Sequence, residues 1–350
     1  MTTSKTPPRR ITQRRIAELA GVSQATVSLV LNDKADGAAR IPEETRDRVL
    51  KVLKETGYVA DPAARRLAGV GNKIIGVFTY EPAFPTESLD FYTPLLSGIE
   101  AEAEELGCDL LIFTSAPVVD GTRQLFHQHN RLRLADGVLL LGREMDPDEL
   151  ATLVRDGYRV VAVGRRDAPD IPYVGIDYAS ATEALLRRAL GVGHRRIMFL
   201  SDARGGESGA DRVRGYERAL EGTSVESRIH PTDGGRIGAD WLAVREFAPT
   251  LLVVESPTVG AAIREQAIAD GIDVPAELSM IVLGSPSRAG ENDVDFTRLA
   301  PPRAELGGLA VSLLSRILSD DDEPAESELR TLIACAIVDG STLVAPEARA

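Results

Sequence analysis

Short apolar segments alternate with helical segments through most of the chain after Lys73. Segments such as IIGVF, GVLLL and TLLVV carry no charged residue, which is typical of strands in parallel sheets whose two faces are both covered by helices. About eight strand–helix units follow one another, and because one sheet of that size is unusual, we assign them to two lobes. The predicted fold class of this body is therefore α/β with parallel sheets. Ligands of such sheets bind outside the carboxyl ends of the strands, here in the cleft between the lobes.

The helical segments of this body are recognised by apolar residues at spacings of three and four. They are predicted over residues 94–106, 123–134, 148–155, 179–190, 211–220, 238–247, 259–269 and 303–318. The segment RTLIACAIVDGSTL, residues 330–343, is predicted to be a closing strand. The tail after it has no heptad leucines, so nothing there predicts a coiled coil that would join dimers into tetramers.

A different pattern lies near the N-terminus, where residues 16–32 read IAELAGVSQATVSLVLN. Gly21 permits the positive φ that ends a helix, and the Ser23 hydroxyl can accept from backbone N–H groups of the next turn. Val27 and Val30 give the second segment an apolar face, while its other face is small and polar. Two short helices joined by a glycine turn predict a helix-turn-helix, whose second helix fits a DNA major groove.

A third helix is predicted to complete this head, with Pro42 in its first turn and Gly57 at its end. Four residues are expected to form its apolar face, namely Val49, Leu50, Val52 and Leu53. Thr12 can cap the first helix or contact a phosphate. The predicted DNA-binding head spans residues 1–59.

Charge is distributed unevenly along the chain. The whole sequence has a net charge of −13, but residues 1–70 carry 13 lysines and arginines against 8 acidic residues, a net charge of +5. The remainder carries 27 basic and 45 acidic residues, a net charge of −18. A basic head on an acidic body fits DNA binding that is confined to the head.

Residues 60–71 are predicted to link the head to the body, which spans residues 72–350. Within the linker, residues 61–69 read DPAARRLAG, which is too short for a stable isolated helix. The segment is either a plain linker or becomes helical only on contact with a partner. Two arginines beside a leucine make DNA the expected partner.

Motifs of several other protein classes are missing from the sequence. There is no G-x-G-x-x-G, Walker A or G-x-S-x-G motif, and the four histidines lack H-E-x-x-H spacing. Cys108 and Cys335 are expected to be buried small apolar residues. No cofactor or metal is predicted. The basic N-terminus leads into no apolar signal core, and no apolar run is long enough to span a membrane, so we expect a cytoplasmic protein.

Taken together, these segments resemble the LacI/GalR family of transcriptional regulators. The resemblance rests on IAELAGVSQATVSLVLN, IPEETRDRVLKVLKETGY and ADPAARRLAG in this order, and on GHRRIMFL, DRVRGYERAL, VPAELSMIVLG and FTRLAPPRAELGGLA in the body. It implies a hinge helix in the linker and a two-lobed body like a periplasmic binding protein. It also implies a homodimer on a pseudo-palindromic operator.

The resemblance further implies which residues face the DNA. They are Thr12, Ser23, Gln24, Ala25, Thr26, Ser28, Leu29 and Asn32. Ser23, Thr26 and Ser28 would mainly contact phosphates, whereas the amide of Gln24 can pair with an adenine edge. Ala25 can make only an apolar contact, and Leu29 departs from the arginine that is frequent at that position.

The hinge residues implied by the resemblance are Arg65 and Leu67. Arg65 would lie along the minor groove, and Leu67 would be the wedge that opens the central base step.

For the effector cleft, the resemblance implies Arg212 as the arginine that binds hydroxyl or carboxylate oxygens of the ligand. Phe91, Arg165 and Ser208 fall at other pocket positions. Three positions depart from the family pattern, and they are Asp233, Glu255 and Ser285. Asp233 stands where the family has a stacking aromatic ring. The family's Asn-Asp is Glu255-Ser256 here, and its Phe-Asp-Asp is Leu283-Gly284-Ser285. These departures leave three alternatives for the effector: an unusual sugar, a compound that is not a sugar, or none.

The function predicted from the sequence is a DNA-binding regulator, a repressor, whose operator affinity is changed by a small molecule, plausibly a carbohydrate. A regulator with a degenerate or non-sugar cleft is the alternative. A solute-binding protein and a sugar-acting enzyme are rival hypotheses, but the basic head argues against the first. The second lacks any nucleophile–base or metal spacing.

Overall fold

The computed structural model describes residues 11–32, 41–58, 71–81, 92–119, 122–127, 130–286, 294–319 and 321–346. The chain divides into two compact units, Met1–Asn72 and Lys73–Ala350. We call them the head and the body.

The described part of the head consists of helices. They are α1 (Gln13–Ala20), α2 (Gln24–Asn32) and α3 (Glu43–Thr56). Their shared core is small, and Ile16, Val27 and Val49 lie at its centre with no exposed surface. The predicted turn glycines are confirmed, since Gly21 and Gly57 follow α1 and α3 with φ values of 66° and 59°. Leu50 differs from the prediction, because its side chain is 45% exposed and lies outside the core.

The body contains two sheets of six strands among its described residues. The N-terminal lobe has the strand order β13-β7-β6-β5-β1-β2, and all of its paired strands are parallel. These strands are β1 (Ile74–Thr79), β2 (Asp109–Phe113), β5 (Gly137–Leu141), β6 (Val160–Val163), β7 (Tyr173–Ile176) and β13 (Arg330–Ile333). A separate small hairpin pairs β3 (Val118–Val119) with β4 (Thr122–Arg123).

The C-terminal lobe has the order β14-β12-β11-β10-β8-β9. Its strands are β8 (Arg196–Asp202), β9 (Glu226–Thr232), β10 (Leu251–Val254), β11 (Ser279–Val282), β12 (Thr297–Ala300) and β14 (Ala336–Val338). The last strand is antiparallel to β12, and the other pairs are parallel.

Helices connect and cover these strands. They are α4 (Thr93–Glu105), α5 (Pro147–Arg155), α6 (Tyr178–Val192), α7 (Glu207–Leu220), α8 (Ile237–Phe247), α9 (Pro257–Ala269) and α10 (Arg303–Leu318). Alternate strand residues belong to different cores: Leu139 packs in the central core that both lobes share, and Leu140 packs in a core on the other face. The sheets are therefore covered on both faces, as the uncharged strand segments predict.

The described strands place three chain crossings between the lobes. The chain passes from the N-terminal to the C-terminal lobe through α6, returns through α10, and crosses again between β13 and β14. The predicted closing strand over 330–343 is therefore wrong as a single element. Its two parts belong to different sheets.

The predicted helix over 123–134 is also wrong for the residues that the structure describes. Only Leu132–Leu134 forms a helical turn, and it is a 3-10 turn. Side chains bind the backbone of this segment: the Glu149 carboxylate accepts from the N–H groups of Leu125 and Phe126, and the Asn130 amide donates to the carbonyl of Leu125. Such local hydrogen bonds compete with helix formation.

Candidate DNA-binding and effector-binding sites

The second helix of the head, α2, presents one face to solvent and the other to the core. Val27 and Val30 are buried against the neighbouring helices. Side chains on the opposite face and at the helix start are exposed, namely Ser23, Gln24, Ala25 and Leu29, while Thr26 and Ser28 are half-buried. The exposed surface is therefore short and mostly polar, as a helix entering a major groove requires.

Capping hydrogen bonds fix the ends of both short helices. The Thr12 hydroxyl accepts from the backbone N–H of Arg15 at 3.4 Å, and the Ser23 hydroxyl accepts from that of Thr26 at 3.1 Å. The predicted capping roles of Thr12 and Ser23 are thus confirmed. Arg48 of α3 donates to the carbonyl of Ala20 at 2.9 Å and closes the end of α1.

Gln24 begins α2 and has an exposed amide. Its Nε2 donates to the Oε1 of Gln13 on α1 at 3.3 Å, a long bond between two exposed side chains. Such a bond is weak, so the Gln24 amide can exchange it for a hydrogen bond to another partner at little cost in free energy. Asn32 is the last residue of α2. The hinge candidates Arg65 and Leu67 lie outside the described residues.

In the body, a cavity of about 190 Å³ lies at the carboxyl ends of strands from both sheets. Its lining includes residues at or just after the carboxyl ends of β5, β6, β8, β10 and β11, as the general rule for parallel sheets predicts. Arg143 and Arg165 come from the N-terminal lobe, and Arg204, Arg212 and Glu255 come from the C-terminal lobe.

Arg212 of α7 is held rigidly in the wall of this cavity. Its Nε donates to the carbonyl of Leu283 at 3.1 Å, and its Nη1 donates to the carbonyl of Ser208 at 3.0 Å and to Glu255 at 3.3 Å. The guanidinium carbon lies 3.6 Å from the ring centroid of Tyr178, a cation–π contact. Four contacts fix the orientation of this guanidinium before any ligand enters.

Ion pairs join the two lobes around the cavity. In the described part of the body they are Arg143–Asp202 at 3.4 Å, Arg165–Asp211 at 2.7 Å and Arg166–Glu207 at 2.8 Å. Burial disfavours the charged form of Arg165, but hydrogen bonds to Asp211 and Asp167 outweigh it and raise the pKa of the guanidinium. The lobes are thus held together by charges that border the ligand space itself.

Asp202 is the acceptor for two arginines from opposite sides. Arg204 binds its carboxylate with two bonds of 2.8 and 2.7 Å, and Arg143 approaches one of the same oxygens. Burial raises the pKa of Asp202, but the bonds from Arg204 and the charge of Arg143 outweigh this effect and lower it. The carboxylate therefore remains ionised between the two lobes.

Most of the predicted effector residues line the cavity. They are Arg165, Ser208, Arg212, Glu255 and Ser285. The Ser285 hydroxyl already donates to the carbonyl of Leu299 and accepts from Arg298. Asp233 differs from the prediction and lies outside the lining. Its carboxylate turns to its own loop, where it accepts from the backbone N–H of Gly235 at 2.8 Å. Phe91 lies outside the described residues.

Several lining residues were not predicted. They are Tyr92, Arg143, Arg166, Tyr178, Arg204 and Arg303. Most follow a strand within a few positions, so the strand-end rule could have found them. Tyr92 is the exception, because it directly precedes α4 and lies far along the chain from the end of β1.

The helices and the two-unit architecture indicate the class of protein. None of the described helices is long and apolar enough to cross a membrane. A helix-turn-helix head and a two-lobed body with a central cavity define a DNA-binding regulator whose body resembles a ligand-binding protein.

Comparison with known proteins identifies the family. Residues 13–61 match the model of bacterial regulatory proteins of the lacI family, and residues 186–343 match a periplasmic binding protein-like domain. The regulator CelR of Thermobifida fusca is 28% identical over 337 residues, which cover 92% of this chain and 96% of that protein. The chain belongs to the LacI family of transcriptional regulators.

Solved structures show the same fold. The lac repressor dimer bound to operator and the anti-inducer ONPF superposes with a TM-score of 0.74 at 18% identity, covering 96% of this chain and all of that chain. The complex of the regulator CelR with cellobiose gives a TM-score of 0.63 at 22% identity and covers 95% of this chain and all of that one. The family models that match the head and the body identify the protein as a DNA-binding transcriptional regulator with an effector-binding domain, and its family is not one of enzymes.

Proposed function

We propose that this protein is a repressor that binds a pseudo-palindromic operator as a homodimer and is released or retained by a small effector in the cavity between its lobes. The observation that carries the DNA-binding part is the exposed face of α2, where Ser23, Gln24 and Ala25 follow a capped glycine turn. The net charge of +5 on residues 1–70 supports it, because phosphate contacts depend on basic residues.

The proposed DNA contacts divide by chemistry. Thr12, Ser23, Thr26 and Ser28 carry hydroxyl groups that suit phosphate oxygens, whereas Gln24 can read an adenine edge with two hydrogen bonds. Ala25 and Leu29 supply apolar contacts, and Asn32 adds an amide at the helix end. Arg65 and Leu67 would enter the minor groove, so part of the specificity comes from DNA bending.

The effector part of the proposal is supported by the interlobe ion pairs. Arg143–Asp202, Arg165–Asp211 and Arg166–Glu207 connect the lobes and border the cavity. A ligand that engages these charged groups changes the free-energy difference between closed and open lobes, which is what a population shift requires. In a dimer, such a shift alters the distance between the two linkers. The effector changes the operator affinity by about 1–3 kcal/mol, the usual range of allosteric coupling.

The contact of Gln24 with a base is tested by selecting operators from random DNA. The wild type should select a two-fold repeat, and Gln24→Ala should lose the preference at one position in each half-site, which corresponds to about 1–3 kcal/mol of discrimination. Gln266→Ala, a glutamine of α9 in the body, is the matched control and should select the wild-type sequence. Selection of the same sequence by Gln24→Ala would contradict the assigned role.

A further inference from the structure

Arginines dominate the charged lining of the cavity. Among the described residues, six arginines line it against three carboxylates. The arginines are Arg143, Arg165, Arg166, Arg204, Arg212 and Arg303, and the acidic residues are Asp202, Asp211 and Glu255. Glu207 and Asp167 are not among the lining residues, but they pair with Arg166 and Arg165.

The carboxylates at the cavity are shared rather than paired one to one. Asp202 serves both Arg143 and Arg204, and Asp211 serves Arg165 as well as Arg214, which lies at 3.0 Å. Sharing lowers the number of acceptor oxygens available to each guanidinium. A guanidinium has five N–H donors, so the shortage of acceptors is larger than the charge count alone indicates.

Unsatisfied donors are the direct sign of this shortage. In the described part of the chain, Nη2 of Arg165 and Nε of Arg166 are buried and have no hydrogen-bond partner. Arg166 is 6% exposed and Arg165 also has a mostly buried side chain. Buried donors are normally satisfied, so these two N–H groups can accept an additional partner from a ligand. Asp211 Oδ1 on the same wall also makes no hydrogen bond, although it forms an ion pair with Arg214 at 3.0 Å.

Helix starts add positive potential to the same space. The first turns of α6, α7, α9 and α10 contribute Tyr178, Ser208, Thr258 and Arg303 to the lining. Each helix start carries unpaired N–H groups and the positive end of the helix dipole, and both attract anions.

Arg303 experiences this positive environment. Burial lowers the pKa of Arg303, and the charges of Arg212 and Arg143 lower it further, although Tyr178 opposes the shift. An anion beside these guanidiniums would offset their mutual repulsion.

We infer that the effector of this regulator is a compact organic anion whose carboxylate or phosphate oxygens bind Arg143, Arg204 and Arg303. The inference rests on the proposed function and names the chemical class of its effector. The cavity volume of about 190 Å³ is below the ~300–1,000 Å³ that is usual for larger ligands, so the anion has the size of about one sugar ring. Tyr178 and Leu95 supply the apolar part of the wall.

The inference is tested by thermal unfolding of the full chain at constant ionic strength. The probes are glucose, glucuronate, glucose 6-phosphate and inorganic phosphate at millimolar concentration. Glucuronate or glucose 6-phosphate should raise the Tm, inorganic phosphate should raise it less, and glucose should leave it unchanged. The carboxylate and phosphate arms identify which anion fits. Stabilisation by glucose alone, or by none of the probes, overturns the inference.

Variants locate the anion. Arg143→Gln and Arg303→Gln should each weaken binding of the stabilising anion by roughly tenfold or more, measured by calorimetric titration. We expect Arg143→Gln to fold, because the side chain of Arg143 is 44% exposed. Arg187→Gln is the matched control, since Arg187 is 59% exposed and pairs with Glu183 one turn away on α6. Equal affinity in all three variants would contradict the site.

Operator binding in the same preparations separates this inference from the proposed function. If the protein binds operator and responds to a neutral sugar, the proposed function stands and the inference of an anionic effector is rejected. If the protein binds anions but no operator, the proposed function is rejected and the assignment of an anion-binding cavity stands.

Discussion

His194 is fully buried in the body and accepts only one protonation state easily. Its Nε2 donates to the carbonyl of Val344 at 2.9 Å, and its Nδ1 lies 3.0 Å from the hydroxyl of Thr250, which also contacts the carbonyl of Arg196 at 3.2 Å. Burial lowers the pKa of His194, and the neighbouring charge of Arg195 also lowers it, while the Val344 carbonyl opposes the shift. The folded protein therefore keeps this imidazole neutral over a pH range in which the unfolded chain already binds a proton.

The sign of the pH effect follows from this difference. The unfolded chain protonates His194 near its ordinary pKa of about 6.5, so stability falls as the pH drops below that value. We expect His194→Gln to lose this part of the pH dependence. The measurement is the free energy of unfolding in urea at about pH 7.5 and 5.5, where the group contributes at most about 1.4 kcal/mol per pH unit.

Other groups titrate in both proteins, so the difference between the two slopes isolates His194. His230→Gln serves as the control, because His230 is partly exposed. Identical slopes for wild type and His194→Gln would mean that the buried imidazole does not control this part of the profile.

At the scale of elements, α4 and α10 pack at unusually short distance. A Cβ atom on Gly98 would lie 1.9 Å from the carbonyl oxygen of Ala304, and one on Gly307 would lie 2.3 Å from that of Leu95. Both distances are far below any normal contact, so the two helices touch backbone to backbone. The pairing joins a helix of the first strand–helix unit to the helix that returns from the C-terminal lobe.

The neighbouring glycine provides a matched test of this packing. Gly307→Ala should destabilise the body by about 1–3 kcal/mol or more, because the backbone cannot move away from the new methyl group. A Cβ on Gly308 would lie 3.6 Å from its nearest neighbour, so Gly308→Ala should be neutral or stabilise by up to about 1 kcal/mol through helix propensity. The measurement is the free energy of unfolding in urea for the two variants and the wild type. Similar effects at both positions would contradict the close approach.

Sequence patterns identify most elements of the body but fail where the apolar signal is weak. β9 is an edge strand whose side chains are mostly exposed, so it has no apolar run to recognise. The segment 123–134 has apolar residues at helical spacing, yet its described residues form only a short 3-10 turn, and Glu149 and Asn130 bind its backbone. The information that decides these cases lies in distant side chains, which a local pattern does not contain.

The residues of the candidate cavity could also be predicted only in part from the sequence. The strand-end rule and the family pattern locate Arg165, Arg212 and Glu255 at the cavity. The sharing of Asp202 between arginines of different lobes depends on how the lobes meet, and no spacing in the sequence encodes it.

At the scale of the whole molecule, the head and the body are separate compact units with their own cores. Their charges are opposite in sign, with +5 on residues 1–70 and −18 on the remainder. DNA binding and effector binding therefore depend on parts of the chain that should fold independently.

A chain of residues 73–350 tests this independence. We expect it to unfold in one cooperative transition and to give the same ligand-induced increase in Tm as the full chain, because the cavity lies within it. It should bind no operator in a gel shift, since the head is missing. Loss of folding, or of the ligand response, would mean that the body depends on the head.

The crossings of the chain between the lobes also bear on how such a protein can evolve. The described strands assemble each sheet from separate stretches of sequence, since β13 completes the N-terminal sheet and β14 the C-terminal one. A single exchange of gene segments with a relative, at any point between β1 and β14, would leave at least one sheet with strands from both parents. Replacing one lobe by that of a relative would require several junctions at once. We therefore expect the body to be inherited whole and new ligand preferences to arise from substitutions at the strand ends.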